Sequence, residues 1–343
     1  MIKALVAGGS GYFGSLLVRE LLSRGHTVGV LDVADAHDRP ASVTFHRADV
    51  RDERAVQESV EGYTHVFHNV AQVPLAKDSN LFHTVNVDGT RNLLRACQKS
   101  GVRKVVYTSS SAVYGAPEVN PVTEETPPNP GEAYGAAKLD AEKLCGEFRE
   151  LGMDVTIIRP RTILGHGRLG IFQILFEWIR LGKNIPVLGG GQNVYQFVHA
   201  DDLAAACILA GERSGGASYN IGSSRFGTMR EGLEELCQHA GTGSRVRSVP
   251  MAPAVWAMRL TSTLGWSPLG AYHALMYGRS MYFDIGKAQA ELGYAPKFSN
   301  GEMLRQRYDW YLEHRESLAA TLGQSHHRSP VAQGILSLVS RWL

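Results

Sequence analysis

Along the first 160 positions, apolar residues come in short runs separated by stretches of helical spacing. Ile2, Leu5, Val6 and Ala7 form a brief run closed at once by glycine, as a parallel strand buried on both faces should be. Leu16, Leu17, Val18, Leu21 and Leu22 then recur at the spacing of a helix face. The same reading predicts strands at Thr27–Leu31, Val43–Phe45, Thr64–Val70, Lys104–Thr108 and Val155–Arg159. Helices are expected near 52–60, over a long segment carrying Val85, Val87, Leu93, Leu94 and Cys97, and from Ala133 onward. Pro117–Pro130 reads as a surface loop. Strands alternating with helices in this way specify an α/β fold, a doubly wound parallel sheet covered on both faces.

Beyond Pro160 the pattern changes. Ile171–Ile179 predicts a strongly apolar helix, and Ile185–Leu188 and Tyr195–Val198 predict short strands with Gly189-Gly190-Gly191 between them. Asp201–Ala210 reads as a helix with Asp201 or Asp202 at its N-terminus. Further helices are expected over 228–322, where Trp256, Met258, Trp266 and Met276 fall. Together these make a smaller, mainly helical C-terminal lobe that closes over the sheet's ligand. After the polar linker Gly323–Pro330, Val331, Ile335, Leu338, Val339 and Trp342 share one helical face. That amphipathic helix is expected to dock on the body or join subunits, with peripheral contact to a membrane surface as the alternative.

Composition narrows the function. The chain has 343 residues, 44% hydrophobic and 20% charged, with a formal charge of +2. So small a charge, with no Lys/Arg block, argues against nucleic acid as a partner. No secretory signal or bilayer-spanning run is evident, so the expected location is the cytoplasm. Cys97, Cys145, Cys207 and Cys237 are far apart and form no ligand pattern, which points to free thiols. His65 and His68 sit three apart in a predicted strand and so face opposite ways, and no metal is expected.

The chemistry begins at Gly8, Gly11 and Gly14, spaced three apart between the first strand and the first helix. In that setting they read as a dinucleotide-binding turn: Gly8 for the tight turn, Gly11 for approach to a pyrophosphate, Gly14 for packing of helix on strand. The phosphates would meet the helix N-terminus, which favours negative charge. Asp32 would accept hydrogen bonds from the adenosine ribose and repel a 2′-phosphate, which favours NAD over NADP. Asp49-Val50 would flank the adenine, or Asp49 would cap the following helix. Ala71, Gln72 and Val73 leave the carboxyl end of the fourth strand and should line the cofactor. Tyr134 and Lys138, four apart, share one helix face. A tyrosine titrates near 10, too high for a neutral-pH base, but a neighbouring ammonium and a positive nicotinamide ring favour the phenolate. Tyr134 could then exchange a proton with a substrate hydroxyl while Ser110, at the end of the fifth strand, holds the substrate oxygen.

These motifs, with Asn86-Val87-Asp88-Gly89-Thr90, Ser109-Ser110-Ser111-Ala112-Val113-Tyr114-Gly115, Arg159-Pro160, Phe197-Val198-His199-Ala200-Asp201-Asp202 and Leu292-Gly293-Tyr294-Ala295-Pro296, resemble the extended short-chain dehydrogenase/reductases. That group holds nucleotide-sugar epimerases and dehydratases and the 3β-hydroxysteroid dehydrogenases. The resemblance implies a Rossmann domain and a C-terminal substrate lobe; the domains are expected over 1–164, to which 194–222 returns, and over 165–330, with the amphipathic helix at 331–343 after them. It implies tightly bound NAD, a homodimer, a small-molecule substrate, and Ser110, Tyr134 and Lys138 as the catalytic trio. Val70, Ala71 and Asn86 would line the cofactor by the same likeness. The full candidate set adds Tyr12, Phe13, Gln72, Thr108 and Pro160 for the cofactor, and Ser111, Thr162, Tyr195 and Arg279 for the substrate.

Two features depart from the nucleotide-sugar epimerases. Tyr195-Gln196 stands where they carry Arg-Asp, the arginine clamping a diphosphate, and Thr162 stands where many carry Asn. Arg161, Arg168 and Arg279 are the arginines placed to compensate. Dehydratases and decarboxylases of this kind place an acidic residue in the serine cluster, and this chain has none there. The first expectation is therefore hydride transfer at a secondary alcohol of a nucleotide-linked sugar. The alternatives are a 3β-hydroxysteroid dehydrogenase-like oxidoreductase on an apolar alcohol or ketone and, from another class, a non-catalytic NAD-binding scaffold or sensor.

Overall fold

The computed structural model describes residues 1–72, 79–165, 172–250 and 278–320. Its central sheet is built first from β1 (Lys3–Ala7), β2 (Thr27–Asp32), β3 (Thr44–Arg47), β4 (His65–His68), β5 (Lys104–Thr108) and β6 (Val155–Pro160). A later strand, β11 (Ser218–Ile221), adds at the β6 edge, giving the order β11-β6-β5-β4-β1-β2-β3 with every pairing parallel. β5 and β6 are buried along their whole length, so Val105, Val106 and Tyr107 and Ile157 and Ile158 run together without polar alternation. Successive residues of β1 serve opposite faces. Ala4 and Val6 join the core under α1 (Tyr12–Ser23) and α7 (Ala200–Glu212). Leu5 and Ala7 join the core under α2 (Glu53–Val60), α4 (Gly89–Lys99) and α5 (Ala133–Glu150). Strand order reverses between β1 and β4, so the crevice beyond their carboxyl ends is where a ligand belongs.

The rest of the described chain forms a second layer of structure around a third core. Three two-stranded pairings belong to it: β7 (Thr162–Leu164) with β10 (Phe197–His199), β8 (Ile185–Leu188) with β13 (Val246–Val249), and β9 (Val194–Tyr195) with β12 (Gly227–Thr228). Phe176 and Ile179 of α6 (Phe172–Arg180), Leu233 and Leu236 of α8 (Met229–Ala240), and Tyr308 and Tyr311 of α10 (Asn300–Ala320) pack together there. A short α9 (Gly286–Leu292) returns Ala288 and Leu292 to the first core.

Several elements differ from the sequence expectations. The long helix after β4 is broken into α3 (Ser79–His83), a π-helical turn over Thr84–Asp88, and α4. The α2 N-cap is Asp52, whose carboxylate accepts from the Arg54 and Ala55 N–H groups; Asp49 instead pairs with Arg51. The run Tyr195–Val198 splits into β9 and β10, because the buried Gln196 turns its amide to the Ser223 carbonyl and the Phe283 N–H. The α7 N-cap is His199, not Asp201 or Asp202, and Asp202 receives the Lys297 and Phe298 N–H groups. β13 falls where only helices were expected, held by its pairing with β8. Trp256, Met258, Trp266, Met276, Arg168 and the helix expected at 331–343 lie outside the described residues.

Candidate active site

The turn after β1 is shaped by its glycines. Gly8 has φ +81°, a conformation that L side chains rarely adopt, and a Cβ there would lie 3.0 Å from the Val70 nitrogen. A Cβ on Gly14 would run into the Gly8 carbonyl oxygen, so α1 can approach β1 only with glycine at this position. Gly11 is the α1 N-cap and brings no side chain to the helix's first N–H groups, which therefore remain available to an anion. Asp32 is fixed at the same turn: its carboxylate accepts from the Ser10 N–H at 3.1 Å and the Val33 N–H at 2.8 Å. Burial raises the Asp32 pKa, against the lowering effect of these bonds.

The loop after β4 is pinned to this turn. Ala7 pairs with His68, which sets Asn69 and Val70 against Gly8. Asn86, in the π-helical turn, accepts from the Gln72 N–H at 2.7 Å and donates to the Gln72 carbonyl at 3.2 Å. Its side chain is thus used to hold the loop. Thr108, the last residue of β5, donates to the Asn69 Oδ1 at 2.6 Å, and the Asn69 Nδ2 is buried without a hydrogen-bond partner among the described residues. Bare N–H groups at a helix start, a carboxylate at the same turn and an unpartnered amide donor suit a dinucleotide, so the residues present fit NAD.

Next to this crevice stands the start of α5. Its N-cap is Glu132, whose two oxygens accept from the Tyr134 N–H at 2.8 Å and the Gly135 N–H at 2.7 Å. Gly135 lets the helix close on the 3₁₀ turn Ser111–Tyr114, because a Cβ there would lie 2.5 Å from the Ala112 carbonyl oxygen. That contact sets Tyr134 beside the serine cluster, with its ring edge-on to Phe82 at 6.2 Å. Ser110 caps the 3₁₀ turn, its Oγ accepting from the Ala112 N–H at 3.1 Å. A hydroxyl used as acceptor there keeps its own proton for another oxygen. One turn along α5 from Tyr134, Lys138 is buried and donates to the Thr108 carbonyl at 2.8 Å. Burial lowers its pKa to about 8, against the raising effect of Glu142.

Two buried arginines mark the end of β6, Arg159 within the strand and Arg161 directly after it. Arg159 bonds Glu142 through Nη2 at 2.7 Å and Nε at 3.0 Å, and Tyr114 through Nη1 at 2.6 Å. Glu142 also accepts from Ser109 at 2.5 Å, and Tyr114 donates to Asn220 at 3.0 Å, so the network ties α5 to β5, β6 and β11. Arg161 instead touches Ser111 and lies between the rings of Tyr195 and Phe283. The Tyr195 hydroxyl is 2.8 Å from the Thr162 Oγ1, which brings three of the four substrate candidates around Arg161. The fourth, Arg279, is exposed, with its carbonyl 3.5 Å from the Asn193 amide.

Other expected contacts are relocated. Phe13 buries its ring in the first core, leaving only its backbone to face a cofactor. The Tyr12 hydroxyl sits where Gly165 would carry a Cβ. Val50 packs against Gly89, and Asp49 is engaged by Arg51. Pro160 closes β6 and is buried, while Ala71 and Gln72 stay half-buried at the crevice. Asn69, Glu132 and Glu142 were missed. Glu132 had a signal in its place two residues before Tyr134, whereas Asn69 and Glu142 become visible only when β4, β5 and α5 are side by side.

Comparison with known proteins identifies the family. The model of the NAD dependent epimerase/dehydratase family matches residues 4–222. The uncharacterized protein y4nG of Sinorhizobium fredii is 54% identical over 98% of this chain and 85% of its own length. The UDP-glucose 4-epimerase of Mycolicibacterium smegmatis is 34% identical over 67% of this chain and 80% of its own length. The crystal structure of the Thermus thermophilus UDP-glucose 4-epimerase in complex with NAD superposes with a TM-score of 0.72 at 30% identity, covering 91% of this chain and 99% of that one. With its seven-stranded parallel sheet and glycine turn, the chain belongs to the NAD-dependent epimerase/dehydratase family of the extended short-chain dehydrogenase/reductases, and its cofactor is NAD.

Proposed function

We propose that this chain oxidises a secondary alcohol carbon of a nucleotide-linked sugar and returns the hydride to the opposite face, a 4-epimerase-like reaction. The observation that carries this reading is the placement of Tyr134 and Lys138 on the first turns of α5, with Lys138 anchored to Thr108 where β5 meets the crevice. Tyr134 takes the proton of the substrate hydroxyl and gives it back when the carbonyl is reduced. Ser110 donates its O–H to the same substrate oxygen, having accepted the Ala112 N–H. Lys138 supplies positive charge one helical turn from Tyr134. Bound NAD supplies the hydride acceptor, held by the Gly8–Gly14 turn, Asp32 and the Asn69–Gln72 loop.

A second reading, oxidation of an apolar alcohol as in the 3β-hydroxysteroid dehydrogenases, is favoured by one observation. Tyr195, in the place of the arginine that clamps a diphosphate, carries no charge and turns its hydroxyl to Thr162, and the adjoining Gln196 spends its amide inside the protein on Ser223 and Phe283. A thermal-shift panel separates the two: UDP-, GDP-, CDP- and dTDP-glucose against sterols, each with NAD present. Stabilisation by one nucleotide sugar, with epimer formed and no net gain in NADH absorbance, supports the first reading. Stabilisation by sterols alone with stoichiometric NADH supports the second, and binding of NAD without turnover of any candidate leaves the scaffold.

A further inference from the structure

Arg161 follows β6 directly and is only 1% exposed. Its guanidinium lies 4.8 Å from the Tyr195 ring centroid and 5.6 Å from that of Phe283. Nη1 donates to the Ser111 Oγ at 2.9 Å and lies 3.3 Å from the Met281 Sδ. Nε and Nη2 are buried and have no hydrogen-bond partner among the described residues. Among the described residues no carboxylate forms an ion pair with it; the buried Glu142 is committed to Arg159. A guanidinium does not shed its proton, and two aromatic faces offset only part of the cost of removing it from water. The unpaired edge is the Nε–Nη2 edge, whose two parallel N–H groups match the two oxygens of a carboxylate.

We propose that this edge binds a carboxylate of the substrate, which makes the substrate class a nucleotide-linked uronic acid in preference to a neutral hexose. The inference rests on the nucleotide-sugar reading above and adds the identity of the sugar. Its reason is position. Arg161 holds Ser111, the neighbour of Ser110, and Ser110 is the residue assigned to the reacting oxygen. In a pyranose oxidised at C4, the diphosphate on C1 lies across the ring, whereas a C6 carboxylate is borne by the adjacent C5. The anion within reach of Arg161 is therefore the carboxylate. Thr162 and Tyr195 are joined through their hydroxyls beside the guanidinium, and the pair keeps one further O–H to donate.

The test is a binding measurement on the NAD-loaded full chain. For the nucleotide selected by the thermal-shift panel, calorimetry compares the free nucleoside diphosphate, its glucose conjugate and its glucuronate conjugate. Wild type is expected to bind the glucuronate at least about tenfold more tightly than the glucose conjugate, the return on one bidentate charge-assisted pair. Arg161→Met should bring that ratio to about one and leave the free diphosphate within about twofold, while Arg161→Lys, a point charge without the fork, should fall between. The wild-type ratio needs no variant, so a variant that does not fold leaves the proposal exposed to refutation. A wild-type ratio of one overturns it. Equal weakening of all three ligands in Arg161→Met also overturns it, since Arg161 would then clamp the diphosphate. Failure of every nucleotide and conjugate to bind overturns the nucleotide-sugar reading and this inference together, a result distinct from binding without preference.

Discussion

Arg159 and Arg161 stand two residues apart, both buried, and the protein treats them in opposite ways. Behind α5, Arg159 has its whole fork occupied by Glu142 and Tyr114. On the crevice side, Arg161 has one buried fork edge unpaired among the described residues and has aromatic rings where a counter-ion would be. The first arrangement makes scaffold: charges cancel within the chain, and several elements are locked to one another. The second makes a receptor, since a fixed charge left unbalanced gains most from what arrives later. Asp32 and His68 extend the contrast. The Asp32 carboxylate is held by backbone N–H groups alone, while His68, on the scaffold side, is kept neutral by burial.

The contrast breaks most readily at Glu142. Glu142→Ala strands the Arg159 charge and releases Ser109, so the loss should reach the upper end of about 3–5 kcal/mol for a broken buried pair. Arg161→Met removes a buried charge with no anionic partner among the described residues, and relief of that burial offsets the lost bond to Ser111, so ligand-free stability should change by less than about 1 kcal/mol. Urea unfolding without nucleotide measures both. Equal losses would make both arginines scaffold and erase the distinction.

A somewhat smaller effect is expected at Tyr134, the proposed proton carrier. Tyr134→Phe keeps the ring against Phe82 and the backbone bond to Glu132 but removes the hydroxyl. Turnover should fall about a thousandfold, roughly 4 kcal/mol, with NAD affinity unchanged within about twofold. Parallel loss of NAD binding would mean that the hydroxyl holds the cofactor and not the proton.

How much of this could be read beforehand follows the range of the interactions. The Gly8–Gly14 turn, β5 and the Tyr134–Lys138 spacing depend on contacts within a few residues, and they were legible. Asn86 was legible as a crevice residue but not as the clamp on Gln72, because that bond spans fourteen residues and a π-helical turn. The Arg159–Glu142 pair spans seventeen, and the bond of Gln196 to Phe283 eighty-seven. A polar residue inside an apolar run announces an exception. Which partner satisfies it is settled only by the sheet order, and with it whether the exception is scaffold or receptor.

The scaffold side makes a pH prediction. Burial, and then the charge on Lys138, lower the His68 pKa to about 3, while its ring bonds Thr90 at 2.8 Å. The unfolded chain holds this proton below about 6.5 and the folded one does not, so the stabilisation is complete above about 6.5 and is lost as pH falls toward 3. His68 should contribute a slope of about 1.4 kcal/mol per pH unit across that window. Urea titrations at successive pH values should show the slope in wild type and its reduction in His68→Gln. An unaltered slope would assign acid lability to other groups.

On the receptor side the smallest change is expected at Asp32. Among the described residues it has no cationic partner, and its two oxygens are oriented by Ser10 and Val33 toward the turn that takes the cofactor. The carboxylate is therefore available to both ribose hydroxyls, and a 2′-phosphate would bring negative charge against it. Asp32→Ala removes the bonds and the repulsion together: NAD should weaken, NADP should bind relatively better, and the ratio of their dissociation constants should shift by about tenfold, near 1.4 kcal/mol. The variant should fold as well as wild type, because no ion pair is broken. A fixed ratio would mean that Arg39, paired to Asp35 nearby, or another group sets the preference, and Asp32 would then belong with Arg159 among the residues that hold the chain together.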